Sequence, residues 1–170
     1  MLAGTALSSP ATLAAPDFTV EAPATGQKFR LAEARGKYVA LHFLLKTECP
    51  VCLRHTREHH RRSAEVADLV PVFLKPDSAE EIKGWTGKLG EDTKSQPMIY
   101  RDPDAGLAKQ FGIPDGYAFH GQTVHYPALV LLDPEGKEVF RHVGKHNGDR
   151  LGFDALAAKL AELRAAAAGK

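Results

Sequence analysis

The stretch from Tyr38 to Cys52 decides the fold, because an apolar run leads almost directly into a pair of cysteines. The run is Tyr38-Val39-Ala40-Leu41-His42-Phe43-Leu44-Leu45. After Lys46 the chain continues as Thr47-Glu48-Cys49-Pro50-Val51-Cys52. A run that is apolar on both faces is typical of a strand covered on both sides. Pro50 is tolerated in the first turn of a helix. The sequence therefore predicts a dithiol where a buried strand turns into a helix.

Cys49 and Cys52 are the only cysteines in a chain of 170 residues. A chain of this length buries a core without needing a disulfide, and a bridge across so short a loop adds little stability. The spacing is instead typical of a redox pair. Unpaired N-H groups at a helix start favour a thiolate, so we expect Cys49 to be the nucleophile and Cys52 the resolving thiol. Glu48 should disfavour the Cys49 thiolate, which predicts a slow or reducing dithiol.

The composition excludes several partners. With 22 basic and 21 acidic side chains the formal charge is +1, which offers no field for nucleic acid or an anionic membrane. No apolar stretch approaches the roughly 20 residues of a membrane span. Residues 1–15 lack Lys and Arg and make a poor signal peptide. We expect an N-terminal extension at 1–15, mobile or packed down, a single domain at 16–170 and a cytoplasmic location. A trimmed signal peptide would instead mean a periplasmic or secreted protein.

Strands and helices alternate along the rest of the chain. The patterns predict a short hairpin at 18–20 and 28–30, a second buried strand at 69–74, a third strand at 98–100 and a C-terminal hairpin at 128–132 and 138–143. Helices are predicted from the dithiol to 67, at 77–90, at 102–111 and at 149–167. This order indicates an α/β sandwich around a mixed sheet. The segment 112–125 is longer than a connection needs, so it is either a partner-recognition loop or a surface hairpin.

These motifs together resemble the thioredoxin fold, and within it the peroxiredoxin-like superfamily. The quoted features are the N-terminal hairpin, the strand leading into Cys-x-x-Cys, Tyr126-Pro127 before a strand, and the turn Asp133-Pro134-Glu135-Gly136. The resemblance spans about Ala15 to Leu163 and covers alkyl hydroperoxide reductases and the thiol-disulfide oxidoreductases of the TlpA and ResA type. It implies a three-layer sandwich with a mixed central sheet and an N-terminal β-hairpin. It also implies that Pro127 is a cis-proline facing the dithiol, and that Tyr126 and Pro127 bind the substrate.

Departures from the peroxiredoxin pattern favour disulfide exchange. The pattern Pro-x-x-x-Thr-x-x-Cys places its cysteine on Cys52, but Leu45 replaces its proline and Cys49 its threonine. Its arginine would fall at or beside Pro127, and no arginine lies between Arg101 and Arg141. We therefore expect a thiol-disulfide oxidoreductase whose partners are protein or small-molecule thiols and disulfides. The alternative is a thiol peroxidase in which Cys52 reacts with peroxide and Cys49 resolves it.

The eight histidines raise the question of a metal. His55 and His59 lie four apart beyond Cys52, but a zinc-finger site needs a second ligand pair that is not found. Copper chaperones of the Sco type share the fold and bind through two cysteines and a histidine, which would be Cys49, Cys52 and His125. Their cysteines are one residue further apart. The main expectation is no metal and no other cofactor, with His125 an ordinary loop residue and His42 a satisfied core residue.

Overall fold

The computed structural model describes residues 14–46, 50–90 and 96–170. The strands of these segments are β1 (Thr19–Glu21), β2 (Lys28–Arg30), β3 (Tyr38–Phe43), β4 (Leu69–Lys75), β5 (Ile99–Arg101), β6 (Asp115–Phe119), β7 (Gln122–His125), β8 (Ala128–Leu132) and β9 (Glu138–Val143). Their helices are α1 (Pro50–Ser63), α2 (Ala79–Gly87), α3 (Gly106–Gln110) and α4 (Phe153–Ala168), with single 3-10 turns at Leu31–Ala34 and Pro103–Ala105.

A mixed sheet with the strand order β2-β1-β5-β4-β3-β8-β9 forms the middle of the molecule. Strands β3, β4 and β5 run parallel, whereas β8, β9, β1 and β2 pair antiparallel with their neighbours. All six residues of β3 are buried, as the doubly apolar run predicts. β1 and β2 form the predicted N-terminal hairpin.

Alternating side chains of β3 separate two cores. Val39, Leu41 and Phe43 point into a cluster that includes residues of α3. Tyr38 and Ala40 point the other way and join Leu156 and Leu160 of α4. On the same side Leu44 clusters with residues of α1 and α2. Helices thus cover both faces of the sheet, and the predicted three-layer α/β sandwich is confirmed.

The bounds of α1 and α4 differ from the predictions, whereas the hairpin at 112–125 is one of the two predicted alternatives. α1 ends at Ser63, four residues early, and the chain turns before β4. α4 begins at Phe153 and not at Asp149, because the Asp149 carboxylate accepts from the backbone N-H of Lys145 and holds residues 144–152 as a loop. The segment 112–125 contains the antiparallel hairpin β6-β7, which lies outside the main sheet.

The N-terminal extension lies mostly outside the described residues. Ala14 bridges to Lys137, and the structure describes nothing before Ala14, so the extension at 1–15 stays a prediction. None of the helices in the described segments is long and apolar enough to cross a membrane. The cytoplasmic location also stays a prediction.

A buried ion pair lies at the end of β4, next to the connection that leads to the dithiol. Lys75 Nζ is 3.0 Å from Asp77 Oδ2, and both side chains are almost completely buried. The same ammonium donates to the Leu45 carbonyl at 2.8 Å and lies 4.8 Å from the centre of the Trp85 ring. Lys75 therefore ties β4 to Leu45, two residues beyond the end of β3. No local sequence pattern marks this lysine.

Replacing Lys75 with Ala should lower the free energy of unfolding by about 3 to 5 kcal/mol, because the Asp77 carboxylate stays buried without its cation. Lys83→Ala is the matched control, since Lys83 pairs with Glu80 on the surface and should cost less than about 1 kcal/mol. Urea unfolding of both variants measures the difference. Equal losses would contradict the importance of the buried pair.

Candidate functional site

Cys52 is the third residue of α1 and is fully buried. It lies in a cluster with Leu44, Phe73 and Trp85, between the helix and the sheet. Pro50 opens the helix, as the sequence predicts, so Cys52 lies in the first turn, where N-H groups and the helix dipole favour a thiolate. Cys49 lies outside the described residues, and its role as nucleophile stays a prediction.

The loop after β9 supplies the polar contact of this thiol. Cys52 Sγ lies 3.3 Å from Asn147 Oδ1. The Arg150 guanidinium holds Asn147 twice, through Nη2 to Oδ1 at 2.8 Å and through Nε to the carbonyl at 2.9 Å. The backbone N-H of Asn147 donates to the Tyr117 hydroxyl of β6 at 2.9 Å. Asn147 therefore connects the thiol and a guanidinium through its side chain and the β6-β7 hairpin through its backbone N-H.

Arg150 was not predicted, because the resemblance to peroxiredoxins places their arginine at or beside Pro127. Arg150 lies beyond β9 in the chain, and only the packing of that loop against α1 brings it within two hydrogen bonds of the sulfur. A guanidinium is always charged, so the site holds a permanent positive charge near Cys52. The sequence Asn147-Gly148-Asp149 is typical of a turn, but it does not indicate which part of the protein the turn contacts.

Gly144 fixes the distance between this loop and Pro127. Its N-H donates to the Pro127 carbonyl at 2.8 Å. A Cβ at this position would lie 2.1 Å from the Asp149 carbonyl oxygen and 3.0 Å from Pro127 Cγ. Only glycine therefore allows the loop to approach so closely. Pro127 and Arg150 consequently line the same small cavity, together with His42 and His55.

The two residues expected to bind substrate lie next to this loop. Pro127 is buried, and the ring of Tyr126 lies 5.2 Å from that of Tyr117. The predicted cis-proline is wrong, since no peptide bond of the described residues is cis. The trans form is the ordinary preference of a bond before proline. Substrate binding by Tyr126 and Pro127 stays a prediction.

His125 is a buried residue at the end of β7, so the expectation of an ordinary loop residue is wrong. Its Nδ1 lies 2.7 Å from the Tyr126 carbonyl oxygen, and its ring lies 6.4 Å from that of Phe43. Phe43 points to the face of the sheet opposite His42 and α1. This position gives no support to a copper site that includes Cys52.

Three histidines converge beside the site. His42 of β3 faces His55 and His59 of α1, with ring centres 5.4 and 4.7 Å away. His42 is buried, as predicted, but it is not satisfied, because its Nε2 has no hydrogen-bond partner among the described residues. His59 is also fully buried, whereas Arg54, Arg57 and Arg61 of the same helix are exposed.

Burial controls the charge of these rings. It lowers the pKa of His55 from 6.5 to about 2, with a smaller contribution from His59, and that of His59 to about 4. Burial also lowers the pKa of His42 well below 6.5, helped by the two neighbouring rings. All three rings are therefore neutral at pH 7.

A fold in which the central strand leads into a helix with a thiol in its first turn defines a thioredoxin-like redox protein. The chain belongs to the AhpC/TSA family, whose model matches residues 12–139.

Comparison with solved structures finds similar proteins, among them one named a thioredoxin and one named a peroxidoxin. The exposed lipoprotein thioredoxin Etrx1 of Streptococcus pneumoniae is 25% identical, with 86% of this chain and 99% of that chain covered and a TM-score of 0.66. AhpC of Enterococcus faecalis is 18% identical over 94% and 95%, with a TM-score of 0.73. Peroxidoxin BcpB of Mycobacterium tuberculosis is 20% identical over 91% and 96%, with a TM-score of 0.67. Comparison with curated proteins finds no significant match.

The neutral histidines should make the fold acid-sensitive. Below pH 6.5 these histidines take up protons in the unfolded chain but not in the folded one until about pH 4 for His59 and about pH 2 for His55. The unfolded state then binds more protons, so the free energy of unfolding falls as the pH drops from 6.5 to 4, by up to about 1.4 kcal/mol per pH unit for each ring.

Replacing His55 with Gln should make the free energy of unfolding fall less steeply between pH 6.5 and pH 4. The difference is the contribution of one histidine, up to about 1.4 kcal/mol per pH unit. Urea unfolding in the presence of a chelator, at intervals between pH 7 and pH 4, measures it. His120→Asn is the control, because His120 is exposed in the β6-β7 turn with a positive φ of 49°, which Asn tolerates. The same slope in the wild type and His55→Gln would contradict the burial of a neutral His55.

Proposed function

We propose that the protein is a thiol-disulfide oxidoreductase that cycles a disulfide between Cys49 and Cys52. In the reducing direction the Cys49 thiolate attacks a substrate disulfide, forms a mixed disulfide and releases one substrate thiolate. The Cys52 thiolate then attacks the Cys49 sulfur and releases the second substrate thiolate. Each leaving thiolate takes up a proton according to the pH, and the protein is left with one disulfide. The substrate gains the two electrons that the dithiol loses.

The complete burial of Cys52 is the observation that carries this proposal. A buried sulfur cannot meet a protein disulfide directly, but it can attack a sulfur three residues earlier in the chain. Burial therefore suits a resolving thiol and leaves the first attack to Cys49. The relative named a thioredoxin, at 25% identity, supports the same reaction.

Arg150 would assist the second step, in which Cys52 must ionise. As a thiol, Cys52 donates to Asn147 Oδ1, and this hydrogen bond favours the neutral form. When it is ionised, the guanidinium of Arg150 and the start of α1 both favour the negative charge. Arg150 acts here as a positioning residue, since it reaches the sulfur through Asn147.

Partners would approach along the β6-β7 hairpin. A groove at its base is lined by Lys46, Lys109, Gly116, Thr123 and His125. Lys46 directly precedes the segment that contains Cys49. The substrates in this proposal are disulfides of proteins or small molecules that fit this groove.

A peroxidase is the second candidate, and the link from Arg150 to Cys52 favours it. In that reaction the Cys52 thiolate attacks a peroxide oxygen, the O-O bond breaks, and the other oxygen leaves as water or an alcohol after taking up a proton. The resulting sulfenic acid condenses with Cys49 to a disulfide and water. Family membership is compatible with this chemistry. The burial of Cys52 opposes it, because peroxide must first reach a sulfur with no exposed surface.

Cys52→Ser should accumulate mixed disulfides on Cys49, because the resolving thiol is missing. Mass spectrometry after incubation with oxidised glutathione measures the adduct. In the matched variant Cys49→Ser the buried Cys52 should form it at least about tenfold more slowly. If Cys49→Ser instead forms a sulfenic acid rapidly with hydrogen peroxide, the peroxidase is the better proposal.

Arg150→Gln should slow release of the second substrate thiol by about tenfold, which corresponds to about 1.4 kcal/mol. Single-turnover kinetics with a disulfide substrate separates this step from the first attack, which should be unchanged. Arg150→Lys should restore part of the rate, because it keeps the charge but not the planar fork. Arg61→Gln, an exposed change at the far end of α1, is the control. A uniform loss in both steps would indicate a purely structural role.

A further inference from the structure

The three histidines that face one another between β3 and α1 form a cluster of candidate metal ligands. Each of His42, His55 and His59 offers one ring nitrogen, and these nitrogens all lie within 4.8 Å of one another. The three rings come from two rigid elements, since His42 lies in the central strand and the other two lie one turn apart on the helix. Ligands placed on regular elements are held more firmly than ligands on loops.

His59 already has the arrangement of a metal ligand. Its Nε2 lies 3.0 Å from the Leu151 carbonyl oxygen, so this nitrogen carries the proton and donates it. Its Nδ1 therefore has a lone pair, and this buried atom has no hydrogen-bond partner among the described residues. A histidine that binds a metal generally donates its other N-H to a carbonyl or carboxylate. The backbone of Leu151 thus fixes the tautomer that a metal needs.

His42 and His55 have the spacing of two ligands of one ion. His42 Nδ1 and His55 Nε2 lie 3.3 Å apart. Two nitrogens bound to one tetrahedral Zn²⁺ at about 2.0 to 2.1 Å lie about 3.3 Å from each other. The unpartnered His59 Nδ1 costs free energy in the core, and metal binding would use this nitrogen.

We propose that His42, His55 and His59 bind one Zn²⁺ ion through three imidazole nitrogens. Imidazole is a preferred ligand of Zn²⁺, and three histidines leave the fourth position for water or another small ligand. Two of the three histidines, His42 and His55, also line a small cavity together with Pro127 and Leu129. The ion ties β3 to α1, the helix whose first turn holds Cys52. The site does not require either cysteine.

Arg150 opposes the ion and sets a limit on its affinity. Its guanidinium lines the same cavity, and its charge acts on His42 and His55. The two hydrogen bonds to Asn147 direct the guanidinium toward the thiol. We therefore expect binding weaker than that of a structural zinc site with thiolate ligands.

The test uses the full chain with both cysteines replaced, Cys49→Ser/Cys52→Ser, so that the dithiol cannot bind the metal. Titration calorimetry should show one Zn²⁺ per chain. Co²⁺ should give the visible bands of a four-coordinate site without a thiolate charge-transfer band. Adding His55→Ala should weaken Zn²⁺ binding by at least about 100-fold, since one of three protein ligands is lost.

Controls separate the site from general effects on the fold. His60→Ala in the same background changes the next histidine of α1, which lies outside the cluster, and should leave binding unchanged. Circular dichroism checks that each variant is folded. His55→Gln, which keeps a polar side chain, replaces His55→Ala if the latter unfolds. Zn²⁺ should raise the melting temperature of the parent and of His60→Ala, but not of the His55 variants.

Two results would overturn the proposal. One is that the cysteine-free protein binds neither Zn²⁺ nor Co²⁺. The other is that binding persists unchanged in folded His55→Ala or His55→Gln. Both results leave the disulfide chemistry of Cys49 and Cys52 untouched.

Discussion

The complete burial of β3 is the constraint on which the rest of the structure depends. All six residues from Tyr38 to Phe43 are buried, so each side chain must pack against a layer above or below the sheet. Val39, Leu41 and Phe43 pack into the core on one face of the sheet. The side chains on the other face are those of Tyr38, Ala40, His42 and Leu44. α1 covers this second face because the chain must turn back over the sheet after Leu45. Cys52 and the histidine cluster therefore lie under α1 as a consequence of how β3 is packed.

The thiol owes its polar surroundings to a part of the chain far from it in sequence. Asn147 reaches Cys52, with Arg150 and Tyr117 bonded to it, because Gly144 lets the loop after β9 approach Pro127. This loop joins the last strand to α4, which is itself packed on the β3 face. The surroundings of Cys52 are thus linked to the packing of the C-terminal helix. A change that loosens α4 should affect the thiol without touching it.

Much of the fold could be predicted from local patterns. The doubly apolar run at 38–45, the turn at 133–136 and the capping residues Ser78 and Glu81 act over a few residues and predict β3, the β8-β9 hairpin and α2. The sequence also predicts Cys52 in the first turn of a helix. The predicted start of α4 at Asp149 was wrong, because the Asp149 carboxylate accepts a hydrogen bond from the loop backbone, which competes with helix formation there.

Contacts that depend on the three-dimensional arrangement could not be predicted in the same way. Arg150 lies outside the sequence window in which an arginine was sought, and nothing local indicates that it faces Asn147. The pair His55 and His59 was recognisable by its spacing, but the third histidine lies on another element. Only the pairing of β3 with its neighbours turns His42 toward α1.

The central claim is that Cys49 and Cys52 form one reversible disulfide. Equilibrating the protein in glutathione buffers of graded potential and measuring its mass tests this most directly. We expect a single two-electron oxidation in which each chain loses two hydrogens and no glutathione adduct accumulates. A transition that leaves Cys49 reduced and places oxygen or glutathione on Cys52 would contradict it.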